Sequence, residues 1–269
     1  MWTFTADAEE YAAAAEPFLL SDPEGNTVPL SVLAGIRAGM PAKDAYFGWW
    51  TVDGEVRGAA FRTPPKPVGL ARMPVEAIVP LVEALRGEIP EVMGPLELTD
   101  AVTAALARPA DVVSERLYRL GTLTTPDVPG RGRPAVAGDF PLLVSWYQAF
   151  GVEVAMSDSE DVAQRVEHRL TARELFLWED DGVPVAFAGL SPESGGVCRI
   201  GPVYTPPARR RRGYGAAVTA FVSHAALEER CKQVVLFTDL ANPTSNSIYQ
   251  SIGYEPVSDY AHVSYRPLT

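Results

Sequence analysis

Ile200-Gly-Pro-Val-Tyr-Thr-Pro-Pro-Ala-Arg-Arg-Arg-Arg-Gly-Tyr-Gly215 is the stretch on which the fold of this chain turns. It opens with strand-forming residues and reaches Pro206-Pro207, which cannot donate ladder hydrogen bonds. It then bends through Arg210-x-x-Gly213-x-Gly215 into an apolar segment that ends near Arg230. Val218, Phe221, Val222 and Ala225 stand at i, i+3, i+4 and i+7, which predicts a helix. The first N–H groups of a helix have no partner within it, and its macrodipole adds positive potential there. Glycines in the preceding turn let backbone close around a ligand that a Cβ would hold off. The stretch therefore predicts a diphosphate site built from the amides of residues 211–216, with Arg210 in support. A basic surface turn that merely joins strand to helix is the alternative.

A second pattern lies downstream. Gln233-Val-Val-Leu-Phe-Thr-Asp239 reads as a buried strand, and Ala241-Asn-Pro-Thr-Ser-Asn-Ser-Ile-Tyr-Gln-Ser-Ile-Gly-Tyr254 follows it. Together the two stretches resemble motifs A and B of the GNAT acetyltransferase superfamily. Arg210, Gly213 and Gly215 fall on the first signature, Arg/Gln-x-x-Gly-x-Gly/Ala. Asn242, Tyr249 and Gly253-Tyr254 fall on the second, and four residue types at fixed spacing make it the more specific. The resemblance covers residues 130–269 well and residues 1–125 only in element order. It implies an α+β fold, a mixed central sheet flanked by helices, with two GNAT-like domains in tandem.

The resemblance also implies a site. Acetyl-CoA would be the co-substrate, its pantetheine arm pairing along Val203, Tyr204 and Thr205 as an added strand. The Val203 N–H would polarise the thioester carbonyl. Arg211, Arg212, Gly213, Tyr214, Gly215 and Ala216 would offer amides to the diphosphate beside Arg210. Asn242 and Asn246 would line the cofactor, and Tyr249 would protonate the departing thiolate. Read without its frame, Tyr249 is a half-buried helix tyrosine and Asn242 a helix cap. No metal is expected, since no histidine pair has ligand spacing.

At 269 residues the chain suits two domains of average size. Its composition, 47% hydrophobic and 21% charged, is that of an ordinary globular protein. No apolar run reaches bilayer length, and the acidic start does not resemble a signal peptide, so a cytoplasmic protein without membrane contact is expected. Two cysteines, Cys198 and Cys231, make neither a disulfide framework nor a zinc site. A net charge of −11 argues against nucleic acid and is compatible with a cationic partner, a small-molecule or peptide amine. Oligomeric state is not legible.

Pro126-Asp-Val-Pro-Gly-Arg-Gly-Arg-Pro134 has linker composition and divides a domain at 1–125 from one at 126–269. The first half reads as helices at 5–20 and 26–39, then a hairpin at 45–52 and 55–63 with Asp53-Gly54 as its turn. A short strand at 68–71, a helix at 74–86, a strand at 91–95, a helix at 98–107 and a strand at 116–123 follow. That order echoes the second half. Leu70-Ala-Arg-Met-Pro-Val-Glu76 stands where a phosphate turn belongs, without a glycine pair and with Pro74 lacking an amide. The first half is therefore expected to be a degenerate GNAT-like domain without the cofactor motif; an unrelated α/β domain is the alternative. Trp49 and Trp50 should face opposite sides of one strand.

In the second half, 132–136 reads as a short strand and Asp139 as the cap of a helix through Phe150. Residues 151–158 are expected to form a loop, 159–170 a helix, 174–179 and 183–190 a hairpin, and 255–266 two closing strands. Glu153 and Asp158 in the loop, and Asp239 at a strand end, are the candidates for a general base, with Glu153 and Asp239 also candidate substrate contacts. A solvated surface acid is the reading favoured for each, and a water chain can replace a base. Cys198 makes a thiol-acylated enzyme conceivable. Two other functions remain: a non-catalytic acyl-CoA-binding or regulatory protein, and a nucleic-acid or anion contact at Arg209–Arg212, which the acidic remainder disfavours.

Overall fold

The computed structural model describes residues 1–154 and 161–266, and it resolves the chain into two compact units. The first comprises Met1–Tyr118, Thr238–Pro243 and Pro256–Thr269, the second Arg119–Phe237 and Thr244–Glu255. Along the first unit run β1 (Trp2–Thr5), α1 (Ala8–Leu19), α2 (Thr27–Arg37), β2 (Tyr46–Val52), β3 (Glu55–Arg62) and β4 (Val68–Leu70). They are followed by α3 (Ile78–Ala84), β5 (Glu91–Pro95), α4 (Leu96–Leu106) and β6 (Ala110–Leu120). The second run is β7 (Arg131–Pro134), α5 (Phe140–Glu153), α6 (Val162–Thr171), β8 (Leu175–Asp180), β9 (Val183–Leu190), β10 (Val197–Tyr204), α7 (Tyr214–Glu229), β11 (Gln233–Asp239), α8 (Pro243–Ser251) and β12 (Tyr254–Tyr265). Both runs read strand, two helices, three strands, helix, strand, helix, strand.

The repeat extends to pairing. β1-β2-β3-β4-β5 lie in that order in the first unit, and β7-β8-β9-β10-β11 in the second. β4 and β5 are parallel, as are β10 and β11; the other pairs of both runs are antiparallel. Each half turns its hairpin on an Asp-Gly pair with positive φ at both residues, Asp53-Gly54 and Asp181-Gly182. That backbone suits the right-handed twist of the flanking strands. The last strand, β12, returns to the first unit, where it pairs antiparallel with β5 through Tyr260↔Pro95 to Ser264↔Glu91.

Asp7 caps α1, its carboxylate accepting the N–H groups of Glu9 at 2.8 Å and Glu10 at 3.3 Å. Two apolar clusters build the first unit. Trp50 packs on the one holding Ile78, Leu81, Val92 and Leu98, Trp49 on the one holding Tyr11, Leu30 and Phe47. Opposite-facing neighbours on a strand thus serve both sides. In the second unit Leu143, Tyr147, Val166, Leu177 and Phe187 form the cluster beneath α5 and α6, with Tyr147 stacked on Phe187 at 5.0 Å.

Several expectations need correction. A first strand, β1, precedes α1 and pairs with β2; four residues without a turn signal beside them hid it. The helix expected at 74–86 is a 3₁₀ turn at Val75–Ala77 and then α3 alone. One strand, β12, replaces the two expected after 254, because no Gly or Pro turn interrupts its second half. α5 continues to Glu153, so Gly151, Val152 and Glu153 are helical and not loop. The rest of that expected loop, with Asp158, lies outside the described residues. Asp139 stands at the N-cap of α5 as expected, but its carboxylate makes no capping bond there and takes the Val136 N–H at 2.8 Å and both Arg133 Nη atoms. Among the described residues no helix is long and apolar enough to cross a membrane.

Candidate active site

β10 and β11 pair in parallel from Val197↔Gln233 to Ile200↔Leu236, and among the described residues no pair between them follows. On the other edge of β10, the register against β9 shifts between Ile200 and Val203. The strand therefore leaves its parallel neighbour at the segment Gly201–Tyr204. Arg169, near the end of α6, holds this irregularity. Its guanidinium donates to the Gly201 carbonyl at 3.0 Å, the Leu190 carbonyl at 3.0 Å, the Tyr147 hydroxyl at 2.7 Å and Glu174 Oε2 at 3.0 Å. A buried charge is tolerable when it is paired and its donors are used, as here. Arg169 drew no notice in the sequence, where only a carboxylate five residues on accompanied it.

After β10 the chain makes a 3₁₀ turn at Pro207–Arg209 and enters α7. Arg211 at φ 62° and Gly213 at φ 82° both sit in the left-handed region. The first intrahelical bond runs from the Ala217 N–H to the Gly213 carbonyl at 3.0 Å. The amides of Tyr214, Gly215 and Ala216 thus have no acceptor within the helix. The two glycines differ. A Cβ on Gly213 would stand 2.7 Å from Val128 Cγ2, in a backbone conformation that L side chains rarely adopt. A Cβ on Gly215 would meet only Thr205 Oγ1, at 3.6 Å. Close approach of a ligand is thus a reason for Gly215 alone; turn geometry already requires Gly213.

The side chains of the turn have definite partners. Tyr214 is buried, and its hydroxyl hydrogen-bonds Asp180 Oδ2, which pushes the phenol above its usual range. Its part in any phosphate site is confined to its amide. Arg210 donates through Nε to the Thr205 carbonyl at 2.9 Å and through Nη2 to both Glu153 oxygens at 2.6 and 2.8 Å. Its guanidinium carbon stands 5.8 Å from the centre of the Tyr204 ring. Tyr204 is buried and tilted against Trp146. Arg211 and Arg212 are exposed.

Tyr249 lies on α8, buried, edge-on to Tyr254 at 6.1 Å. Burial pushes its phenol up to about 12, and its hydroxyl makes no hydrogen bond among the described residues. Asn246 precedes it by three residues, on the same helix face. Asp239 and Asn242 fall on the short segment Thr238–Pro243 that belongs to the first unit. There Asp239 Oδ1 accepts the Ala241 N–H at 2.7 Å and the Asp239 carbonyl accepts the Asn242 N–H at 3.1 Å, a local turn before α8. Cys198 is fully buried, and the neighbouring Cys231 together with burial holds its thiol well above the usual range. A thiolate nucleophile there is not supported. His262 is within 3.0 Å of Glu91 Oε2, a partner the sequence did not show.

Residues 140–254 match the acetyltransferase (GNAT) family model. This segment is a GNAT domain. An acetyltransferase of the GNAT family from Colwellia psychrerythraea aligns with a TM-score of 0.66 and 13% identity, covering 99% of this chain and 100% of that one. A GCN5-related N-acetyltransferase from Sphaerobacter thermophilus gives 0.65 and 17%, covering 100% and 97%. A tandem GNAT protein of the clavulanic acid biosynthesis pathway, solved without AcCoA, gives 0.59 and 12% with full coverage of both chains. No curated protein matches. At these identities the structures fix the fold, which across the whole chain is a tandem GNAT fold. In this segment strand, turn and helix are consecutive, as the sequence anticipated, and the parting of β10 from β11 is a feature that the structure adds.

Proposed function

We propose that residues 126–269 transfer the acetyl group of acetyl-CoA to a primary amine. The observation that carries this is the parting of β10 from β11 after Ile200↔Leu236, directly ahead of the unpaired amides of α7. An extended pantetheine can pair with the freed edge of Val203–Tyr204 and lead its diphosphate to Tyr214–Ala216. The open side of Gly215 fits that path. Val203 would donate its N–H to the thioester oxygen as negative charge gathers there, a contribution of about 3 kcal/mol.

The amine attacks as a neutral nucleophile; its nitrogen–carbon bond forms and the carbon–sulfur bond breaks. Tyr249 gives its proton to the departing sulfur, and the attacking nitrogen loses one to solvent. A phenol pushed up to about 12 stays protonated at neutral pH, as a proton donor must. Asp239 and Glu153 already hold an amide and a guanidinium, so no carboxylate is assigned as base.

We assign no cofactor to residues 1–125. Where β4 and β5 run parallel, the Phe61 ring covers Gly69, and Tyr260 donates to the Gly25 carbonyl at 2.8 Å. The cavity remaining among Gly69, Met93 and Tyr260 is about 10 Å³, room for one water. The test of the whole is twofold: calorimetric titration with acetyl-CoA, and release of free thiol on addition of a panel of amines. Uptake without turnover by any amine favours a binding or regulatory protein.

A further inference from the structure

Glu153 and Tyr204 together form a cation site, and the cation now in it belongs to the chain. The Arg210 guanidinium is clasped by both Glu153 oxygens and lies over the Tyr204 ring. A carboxylate beside an aromatic face is a general receptor for ammonium and guanidinium groups. Arg210 also opens the turn whose amides are proposed to take a diphosphate. One side chain thus stands between two anionic claims.

The balance between those claims is readable. The side chains of Arg210 and Glu153 are 43% and 41% exposed. Ion pairs of that exposure contribute about 0–1 kcal/mol. A diphosphate carries more charge and offers a bidentate partner, and guanidinium–phosphate pairs are among the stronger charge-assisted contacts.

Resting on the acetyl-CoA reading above, we infer that cofactor binding draws Arg210 off Glu153 and Tyr204. The vacated carboxylate and ring then take a cationic group of the acceptor. That group is not the nitrogen that attacks, because a carboxylate at contact favours the ammonium form and would hold the nucleophile protonated. The acceptor class is therefore an amine bearing a second cation, such as a diamine or a basic amino acid. Glu153 is a specificity-determining residue of the same site, and its pairing with Arg210 keeps that site closed until the cofactor arrives.

The experiment is calorimetry on the full chain, using coenzyme A, pantetheine, 1,4-diaminobutane and butylamine as probes. Glu153→Gln removes the internal competitor, so coenzyme A should bind about two- to five-fold tighter than to the unaltered chain. Pantetheine, lacking the diphosphate, should bind both proteins alike. Diaminobutane should bind the protein saturated with coenzyme A, should not bind it without, and should lose that binding in Glu153→Gln; butylamine should bind neither. No uptake of coenzyme A by the unaltered chain overturns the acyl-transfer reading and this inference with it. Normal uptake with equal or weaker affinity in Glu153→Gln overturns the release alone. Diamine binding that ignores either coenzyme A or the substitution overturns the cation site.

Discussion

At the scale of single residues, two neighbouring glycines of one turn, Gly213 and Gly215, make different demands. Gly213 needs its left-handed φ, so Gly213→Ala should destabilise the fold by about 1–2 kcal/mol. Gly215 has ordinary space and lies in the first turn of α7, where alanine is the better helix former. Gly215→Ala should raise stability by about 0.5 kcal/mol while weakening coenzyme A binding, because the new methyl stands where the diphosphate approaches. Thermal melts read with calorimetry separate the two, and a Gly215→Ala protein that binds as before removes the phosphate role of this position. Tyr249→Phe should keep cofactor affinity and lower turnover by about 10²–10⁴. With its phenol pushed up to about 12, the rate should climb with pH as the amine deprotonates and show no falling limb from Tyr249 below pH 10. A falling limb near 8 would assign the acid elsewhere. The motif residues were legible because glycine, asparagine and tyrosine at fixed spacing are rare in combination. Partners were not: the Arg210–Glu153 pair joins positions 57 apart, and nothing local in either stretch marks it.

At the scale of elements, β10 holds its departure from β11 because Arg169 grips the Gly201 carbonyl from outside the strand. The same guanidinium satisfies Tyr147, Leu190 and Glu174, so its loss leaves one carboxylate buried without its cation. Arg169→Met should cost about 3–5 kcal/mol in chemical denaturation, and Arg169→Lys, which keeps charge without the planar fork, should cost less. If the methionine variant melts like the parent, the strand irregularity is fixed by its own sequence and not by α6. Long amphipathic or Gly-bounded elements were legible here: both hairpins, α7 and β11 stand where periodicity and Asp-Gly turns predicted them. Short or interrupted ones were not. β1 has four residues and derives its strand state from pairing with β2, and α3 yields its first turn to 3₁₀ geometry after Pro74.

At the scale of the whole molecule, the ten-element repeat shows two copies of one fold, and the places corresponding to the proposed cofactor slot differ. In the second unit β10 has no β11 partner after Ile200 among the described residues, and α7 runs sixteen residues from a glycine turn. In the first unit Phe61 lies over Gly69, and α3 has seven residues. The Arg72 amide, next to the missing turn, is already taken by Asn26 Oδ1 at 2.8 Å. Opening that slot would mean expelling buried aromatic surface, at a cost of about 3–5 kcal/mol for a phenylalanine. Coenzyme A should therefore titrate to one equivalent per chain. The site it fills should respond to changes at Gly215 and not to Arg72→Ala, which lies in the first unit. Two equivalents, or one that disappears with Arg72→Ala and survives Gly215→Trp, would place the cofactor in the half of the chain whose slot is filled with its own side chains.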